Sequence, residues 1–292
     1  MAKDIIIGGA SNYTWDQLKY WVNSIVKSGF DGDVILIATN ITKETIDTLS
    51  KKGVKVSLYG KKQEDGSFRV DSKGAPHVER FFYIWNTLNQ LDKNQYRHVI
   101  TTDTRDVVFG KNPSHWLKNN LKQNKLVCSS EGLTYQDEPW GNQNLLEAFG
   151  PFFHNALKGN LIYNVGTIAG EFEYVKDLLL MIFQVSINRP IPIVDQAVFN
   201  FLIQQQPYKD IIYKATNKDG WAVQLGTSLA GVKSGSGDIG KICQQNPTEL
   251  ISYQMKYKDD QPDTDNLDFT IIHQYDRVNG LKDKIEKLYG DI

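Results

Sequence analysis

The sequence predicts an α/β fold, with a mostly parallel central sheet and helices on both faces. Three observations lead there. Over the first hundred residues, short apolar runs of period two alternate with longer runs of helical period, which is the pattern of β-α-β units. Glycines punctuate that alternation, with Gly8-Gly9 after the first strand pattern and Gly29 and Gly53 after the first two helical ones. The 292 residues are 40% hydrophobic and 23% charged, so the chain has enough apolar material for a core and lacks the composition of a disordered one. At roughly 100–200 residues per domain the length allows two domains, but α/β chains of this size often form one. A single domain over residues 1–292 is expected.

The elements follow in order. Asp4–Ile7 reads as the first strand. The polar turn Ser11-Asn12-Tyr13 leads to a helix with Thr14 as N-cap and Trp15, Leu18, Trp21, Val22 and Ile25 at helical spacing, ended by Gly29. Asp33–Ala38 is the second strand; Thr42 and Glu44 open a helix that closes at Gly53, and Val54–Tyr59 supplies the third strand. Residues 61–75 have no apolar period and mix glycines with charges, so a long surface loop is expected. A helix from His77 to Leu91 buries Phe81, Phe82, Ile84, Trp85 and Leu88, and Tyr96–Thr102 is the next strand. The second half shows helices near 113–123, 171–187 and 195–205 and a strand at Lys125–Cys128. A Gly/Ser-rich stretch runs from Gly226 to Gly240, before a strand at Phe269–Ile272 and an amphipathic helix around 280–288.

Charge excludes one class of partner. With 33 basic and 34 acidic side chains the formal net charge is −1, and the charges are spread along the chain, so no nucleic-acid partner is expected. The N-terminus carries an early acid, Asp4, and its apolar run stops at Gly8-Gly9, so no signal peptide is expected. The longest apolar stretch, Leu178 to Val185, is broken at Gln184 and falls far short of the ~20 residues of a membrane span. Cys128 and Cys243 have no C-x-x-C spacing, so they are expected to be reduced and buried in a cytoplasmic protein.

The chemistry concentrates after Thr102, where Asp103-Thr104-Arg105-Asp106 interrupts an apolar strand that resumes as Val107-Val108-Phe109. Positions three apart on a strand point to opposite faces, so Asp103 and Asp106 converge only if the chain turns between them. Ligands bind at the carboxyl ends of strands in open parallel sheets, which is where this pair falls. Two close carboxylates repel unless a cation lies between them, and hard oxygen ligands suit Mg²⁺ or Mn²⁺. The other reading is that Asp103 caps a turn and Asp106 pairs with Arg105 or another base.

Asp103-x-x-Asp106-Val-Val-Phe resembles the metal motif of GT-A-type nucleotide-sugar glycosyltransferases, and is close to the variant in the glycosyltransferase domains of collagen-modifying enzymes. The resemblance implies a GT-A, Rossmann-like fold, with residues 1–110 as the nucleotide-binding half and 111–292 as the donor-sugar and acceptor half. It implies that Ile5–Tyr13, with Gly8, Ala10, Asn12 and Tyr13, holds the nucleotide. It also implies that His273, in Ile271-Ile272-His273-Gln274-Tyr275-Asp276-Arg277, completes a metal site with Asp103 and Asp106. Arg105 stands where the plain D-x-D form has its second acid, which makes Asp106 the direct ligand and leaves Asp103 a ribose or water-mediated contact as its other role.

Further segments match the family's order. Tyr163-Asn164-Val165-Gly166 is similar to its Asn-x-Gly segment, so Asn164 and Gly166 are expected near the donor sugar, where glycine permits a close approach. Asp195 stands where members place an acid touching donor or acceptor hydroxyls, and it has an N-cap as its structural alternative. Arg80 resembles a residue reaching the nucleotide or diphosphate; the alternative is a surface salt bridge. Glu131 and Trp140 would offer a carboxylate and a flat apolar surface to a sugar. Gly231–Asp238 would be a hinged lid or a solvated connection. The resemblance thus implies a hexosyl- or pentosyltransferase using Mn²⁺ or Mg²⁺ and a nucleoside-diphosphate sugar, with a glycan or other hydroxyl acceptor. Asp195 is the first candidate for a general base and Glu131 the second. A sugar-1-phosphate nucleotidylyltransferase and a non-catalytic carbohydrate-binding protein are the rivals; the former usually carries a basic residue in its first loop, where Gly8-Gly9-Ala10-Ser11-Asn12 has none.

Overall fold

In a computed structural model that describes residues 2–71, 74–235 and 237–290, the strands are β1 (Lys3–Ser11), β2 (Asp33–Thr39), β3 (Lys55–Leu58), β4 (Lys61–Lys62), β5 (Phe68–Arg69), β6 (Tyr96–Thr102), β7 (Val107–Phe109), β8 (Leu126–Thr134), β9 (Leu161–Glu171), β10 (Ile212–Ala215), β11 (Ala222–Gln224) and β12 (Ile271–His273). Seven of them form the central sheet in the order β3-β2-β1-β6-β9-β8-β10. Only β9 is reversed, antiparallel to β6 and β8 on either side; every other neighbouring pair is parallel. The expected mostly parallel sheet is therefore present, and its β3-β2-β1-β6 half has the crossover order of a Rossmann-like fold.

Period-two patterning decides which side chain meets which layer. In β1, Ile5 and Ile7 join one core while Ile6 and Ala10 join the other; in β2, Ile35 and Ile37 are divided from Leu36 and Ala38 in the same way. On the first face pack helices α3 (Pro76–Asn89), α6 (Phe172–Ser186) and α7 (Asp195–Leu202), through Phe81, Ile84 and Leu88, Val175 and Leu178, and Val198 and Phe199. On the second lie α1 (Trp15–Lys27), α2 (Lys43–Lys51) and α4 (Pro113–Asn120), through Leu18, Trp21 and Val22, Leu49, and Leu117. Trp21 is fully buried and its Nε1 donates to Thr102 Oγ1 at 2.9 Å, fixing α1 under the end of β6.

A second sheet, β11-β12-β7, carries the chain's last strand back to the turn after β6. The C-terminal helix α12 (Leu281–Tyr289) closes against α1, where Asn23 Nδ2 donates to Tyr289 O at 2.7 Å. No helix among the described residues is long and apolar enough to cross a membrane. Cys128 and Cys243 are buried and unbridged, as expected.

Several expectations need correction. The loop expected over 61–75 holds the short ribbon β4–β5, because Phe68 packs on the core and its backbone pairs with Ile41. The strand at 125–128 continues to Thr134, so Glu131 lies within a strand and not in a loop beyond it. Trp140 lies in the first turn of α5 (Pro139–Leu157), which the sequence pattern hid because Gly150 and Pro151 break its period. The Gly/Ser-rich stretch is mostly helical: α9 (Leu229–Lys233) and α10 (Gly237–Gln245) bury Val232, Ile239 and Cys243, and α11 (Pro247–Tyr257) adds Tyr253 and Tyr257. Within it Ser236 lies outside the described residues. A four-residue helix, α8 (Tyr208–Ile211), leads into β10.

Candidate metal and ligand site

The turn after β6 is tied down on both sides. Asp103 N donates to Gly166 O at 3.0 Å, and Thr104 Oγ1 donates to Gly9 O at 3.0 Å, so β9 and β1 grip it from either flank. The turn brings Asp103 and Asp106 to one side, as an extended strand would not. On β12, His273 pairs in register with Val107 and Gln224, and Gln274 N donates to Asp106 O at 2.7 Å. His273 Nε2 then stands 3.5 Å from Asp103 Oδ2 and 3.6 Å from Asp106 Oδ1. One ligand atom from each of the three residues lies within 4.8 Å of the others.

The donor set fits a divalent cation. His273 Nδ1 lies 2.6 Å from Gln224 Oε1, whose amide is oriented by Nε2 donating to Thr167 Oγ1 at 2.8 Å. That network places the proton on Nδ1 and leaves Nε2 toward the two acids, the arrangement metal-binding histidines use. Burial opposes charge on the imidazole, but the Asp106 and Asp103 carboxylates outweigh it and raise its pKa to about 10. The two carboxylates thus favour a positive charge between them. Burial likewise opposes ionisation of Asp103, yet the Arg80 guanidinium and His273 hold its carboxyl well below the usual range.

Arg80, on α3, joins the acids. Its Nη1 donates to Asp103 Oδ1 and its Nη2 to Asp195 Oδ2 at 3.1 Å. Asp195 is not the N-cap of α7, a position held by Val194; it is the first helical residue and its carboxylate is committed to Arg80. Asp106 also meets Arg105 Nη2 at 3.8 Å, so part of the ordinary ion-pair reading holds alongside the cluster.

Two cavities meet here. The first, about 520 Å³, is lined by Ala10, Asn12, Tyr13, Asn40, Arg105 and Asp106 among others. The second, about 380 Å³, is lined by Glu131, Trp140, Asn164, Gly166, Asp195 and Gln196 among others. Arg80, Asp103, His273 and Arg277 line both. In the second cavity Asn164 Nδ2 donates to Glu131 Oε1 at 2.8 Å, and Asn164 Oδ1 accepts from Gly166 N at 2.8 Å. Burial pushes the Glu131 carboxyl up against the opposing amides of Asn164 and Gln196. A larger cavity, about 880 Å³, shares no lining residue with these two and sits by Phe269 and Thr270, at the far end of β12 from His273.

Of the residues singled out in the sequence, Asp103, Asp106, His273, Arg80 and Asp195 form one connected cluster; Asn164, Gly166 and Glu131 adjoin it, and Ala10, Asn12 and Tyr13 line the first cavity. Gly8 does not line it: a Cβ there would stand 2.3 Å from Thr104 Cγ2 and 2.9 Å from Thr102 O, so its glycine serves the packing of the turn against β1. Sequence reasoning missed Gln224, which orients His273, and Arg277, which lines both cavities. Arg277 falls four residues after His273, a signal that was available; Gln224 carried none.

No protein-family model matches the sequence, and no curated protein matches it. Among solved structures, the chain is similar to the glycosyltransferase GlyE from Streptococcus pneumoniae TIGR4, in one crystal structure and in that of its apo form, each at 13% identity with a TM-score of 0.48. Each match covers 94% of this chain and 55% of the other, so the chain spans about half the length of the structures it matches.

Proposed function

We propose that the chain is a metal-dependent glycosyltransferase of the GT-A type, moving a sugar from a nucleoside-diphosphate donor to a hydroxyl acceptor. The observation that carries this reading is the Asp103–Asp106–His273 cluster at the carboxyl edge of the sheet, at the junction of two cavities. Hard oxygens with one imidazole nitrogen favour Mn²⁺ over Mg²⁺. A cation held there supplies Lewis-acid neutralisation of charge on the leaving diphosphate.

The chain's own residues do the rest in this reading. Ala10, Asn12 and Tyr13 hold the nucleotide in the first cavity, with Arg105 and Arg277 as cations for its phosphates. Asn164 and Gly166 bring amide and backbone close to the donor sugar in the second. Arg80 keeps Asp103 aimed at His273. Asp195 and Glu131 are the carboxylates for acceptor hydroxyls; Asp195 commits one oxygen to Arg80 and Glu131 accepts at Oε1 from Asn164, and burial raises the Glu131 carboxyl, which favours its accepting a proton.

The test is incubation with a panel of nucleotide sugars and Mn²⁺, reading free nucleoside diphosphate. Release with at least one donor, abolished by excess chelator, is the expected outcome. Turnover persisting after confirmed metal removal refutes the metal role. Pyrophosphate release from a nucleoside triphosphate and a sugar phosphate would assign the chain to the nucleotidylyltransferases instead.

A further inference from the structure

We infer that the second cavity, which holds the donor sugar at Asn164 and Gly166, also forms the acceptor subsite along Trp140 and Ile193, and that this subsite takes an uncharged saccharide whose ring lies on the face of Trp140. The inference rests on the glycosyltransferase reading and extends it to the class of acceptor.

The two cavities differ in what charge they welcome. The first has Arg105 and Arg277 on its wall, both 40% or more exposed at the side chain, where diphosphate oxygens would meet them. The second lacks Arg105 and adds the carboxyls of Glu131, Glu138 and Asp195 to that of Asp103, which both cavities share. Its arginines are Arg80, spent on Asp103 and Asp195, and Arg277, shared with the first cavity and 3.3 Å from Asp276. Its imidazoles are His273, set between Asp103 and Asp106, and His77, so an anionic acceptor would meet Glu131 and Glu138 with His77 alone outside those pairings among the described lining residues. A neutral polyol meets hydrogen-bonding partners instead, in Glu131 and Gln196.

The rim is apolar. Trp140 is 40% exposed and Ile193 41% exposed, and both line this cavity. Trp140 sits at a capped helix start: Glu138 accepts from Trp140 N at 3.2 Å and from Gly141 N, which fixes the backbone that carries the ring. Asn144 Nδ2, one turn further along α5, donates to Ile193 O at 3.1 Å and joins the two walls. An exposed indole face beside carboxyl and amide groups matches a sugar, whose C–H face is apolar and whose edge is hydroxyl.

A glycan array carrying neutral glycans beside sialylated, sulfated and uronate-bearing counterparts tests this, probed with the full chain in Mn²⁺ and UDP or GDP. Neutral glycans should be retained and their anionic counterparts not. For a retained glycan, Trp140→Ala should weaken binding about tenfold or more, and Trp140→Phe by no more than about threefold, with circular dichroism confirming both folds. Preference for anionic glycans, equal binding by Trp140→Ala, or retention of no neutral glycan while Mn²⁺ and nucleotide bind, overturns the inference and leaves the glycosyltransferase reading standing. Failure of Mn²⁺ and nucleotide to bind at all overturns both.

Discussion

Gly166→Ala inserts one methyl group at the centre of the candidate site. Gly166 has no left-handed backbone, so alanine is allowed there and only space opposes it. The added Cβ would lie 2.7 Å from Asp103 Oδ2, 2.9 Å from Asn164 Oδ1 and 2.9 Å from His273 Cε1. Carbon contacts settle at about 3.5–4.0 Å, so neighbours must give by roughly 0.5–1 Å. None is free to do so. Asp103 is held by Arg80, Asn164 by Glu131 and the Gly166 amide, and His273 by Gln224 and strands on both sides. Overpacking of this kind costs ~1–3 kcal/mol, and at about 1.4 kcal/mol per tenfold that is roughly a 5- to 150-fold loss of affinity if the strain falls on the metal ligands. Calorimetric titration of Mn²⁺, alone and with UDP or GDP, reads it directly. Gly159→Ala is the control, since a Cβ there meets nothing within 4 Å and its melting temperature and affinity should match the parent's. Gly166→Ala binding Mn²⁺ within twofold of the parent, with its fold intact, would refute the claim that these three side chains surround the cation.

Asp106→Ala should lose more Mn²⁺ affinity than Asp103→Ala, because Asp103 already gives one oxygen to Arg80; the loss at Asp106 should reach at least the ~10–100-fold that outer-shell changes cost metal sites, by calorimetry. Arg80→Met leaves Asp195 buried without its cation and should destabilise the fold by roughly 2–3 kcal/mol in urea, less than a fully buried pair because Arg80 keeps some solvent contact; Asp195→Asn in the same background should recover part of it. Asp4 supplies a pH test away from the site. Burial raises its carboxyl, but hydrogen bonds from His98 and the charges of His98 and Arg97 outweigh burial and lower it. A depressed folded pKa stabilises fully above the unfolded value and is lost as pH falls through the folded one, so the melting-temperature gap between parent and Asp4→Asn should be full at neutral pH and shrink below about pH 4. A gap unchanged from pH 7 to pH 2 would show that the ion pairs of Asp4 contribute nothing.

The half of the fold built from local pattern was legible. Period two in β1 and β2 and helical period in α1 to α3 come from single faces meeting single layers, so each element carried its own signal. The second half was harder because its elements are stabilised from outside themselves. α5 is interrupted at Gly150 and Pro151, and β10 and β11 are four and three residues long, too short for periodicity to declare, whereas β12 was expected one to two residues early, at Phe269–Ile272. α9 and the start of α10 read as a Gly/Ser-rich connection because glycines and serines outnumber apolar residues between Gly226 and Gly240, yet Val232, Ile239 and Cys243 suffice to join them to the cluster of Leu133 and Tyr135.

The site followed the same division. Asp103 and Asp106 were visible because four polar residues inside an apolar strand ask for compensation, and compensation is what the geometry shows: an imidazole and two guanidiniums around two carboxylates. Gln224 was invisible, since a glutamine ending a three-residue strand has no pattern, and only the pairing of β11 with β12 puts it against His273. Yet Gln224 decides which imidazole nitrogen faces the acids. A ligand's identity is chemistry and can be read along a chain; its orientation is set by whichever element folds beside it, and that element lies 49 residues away.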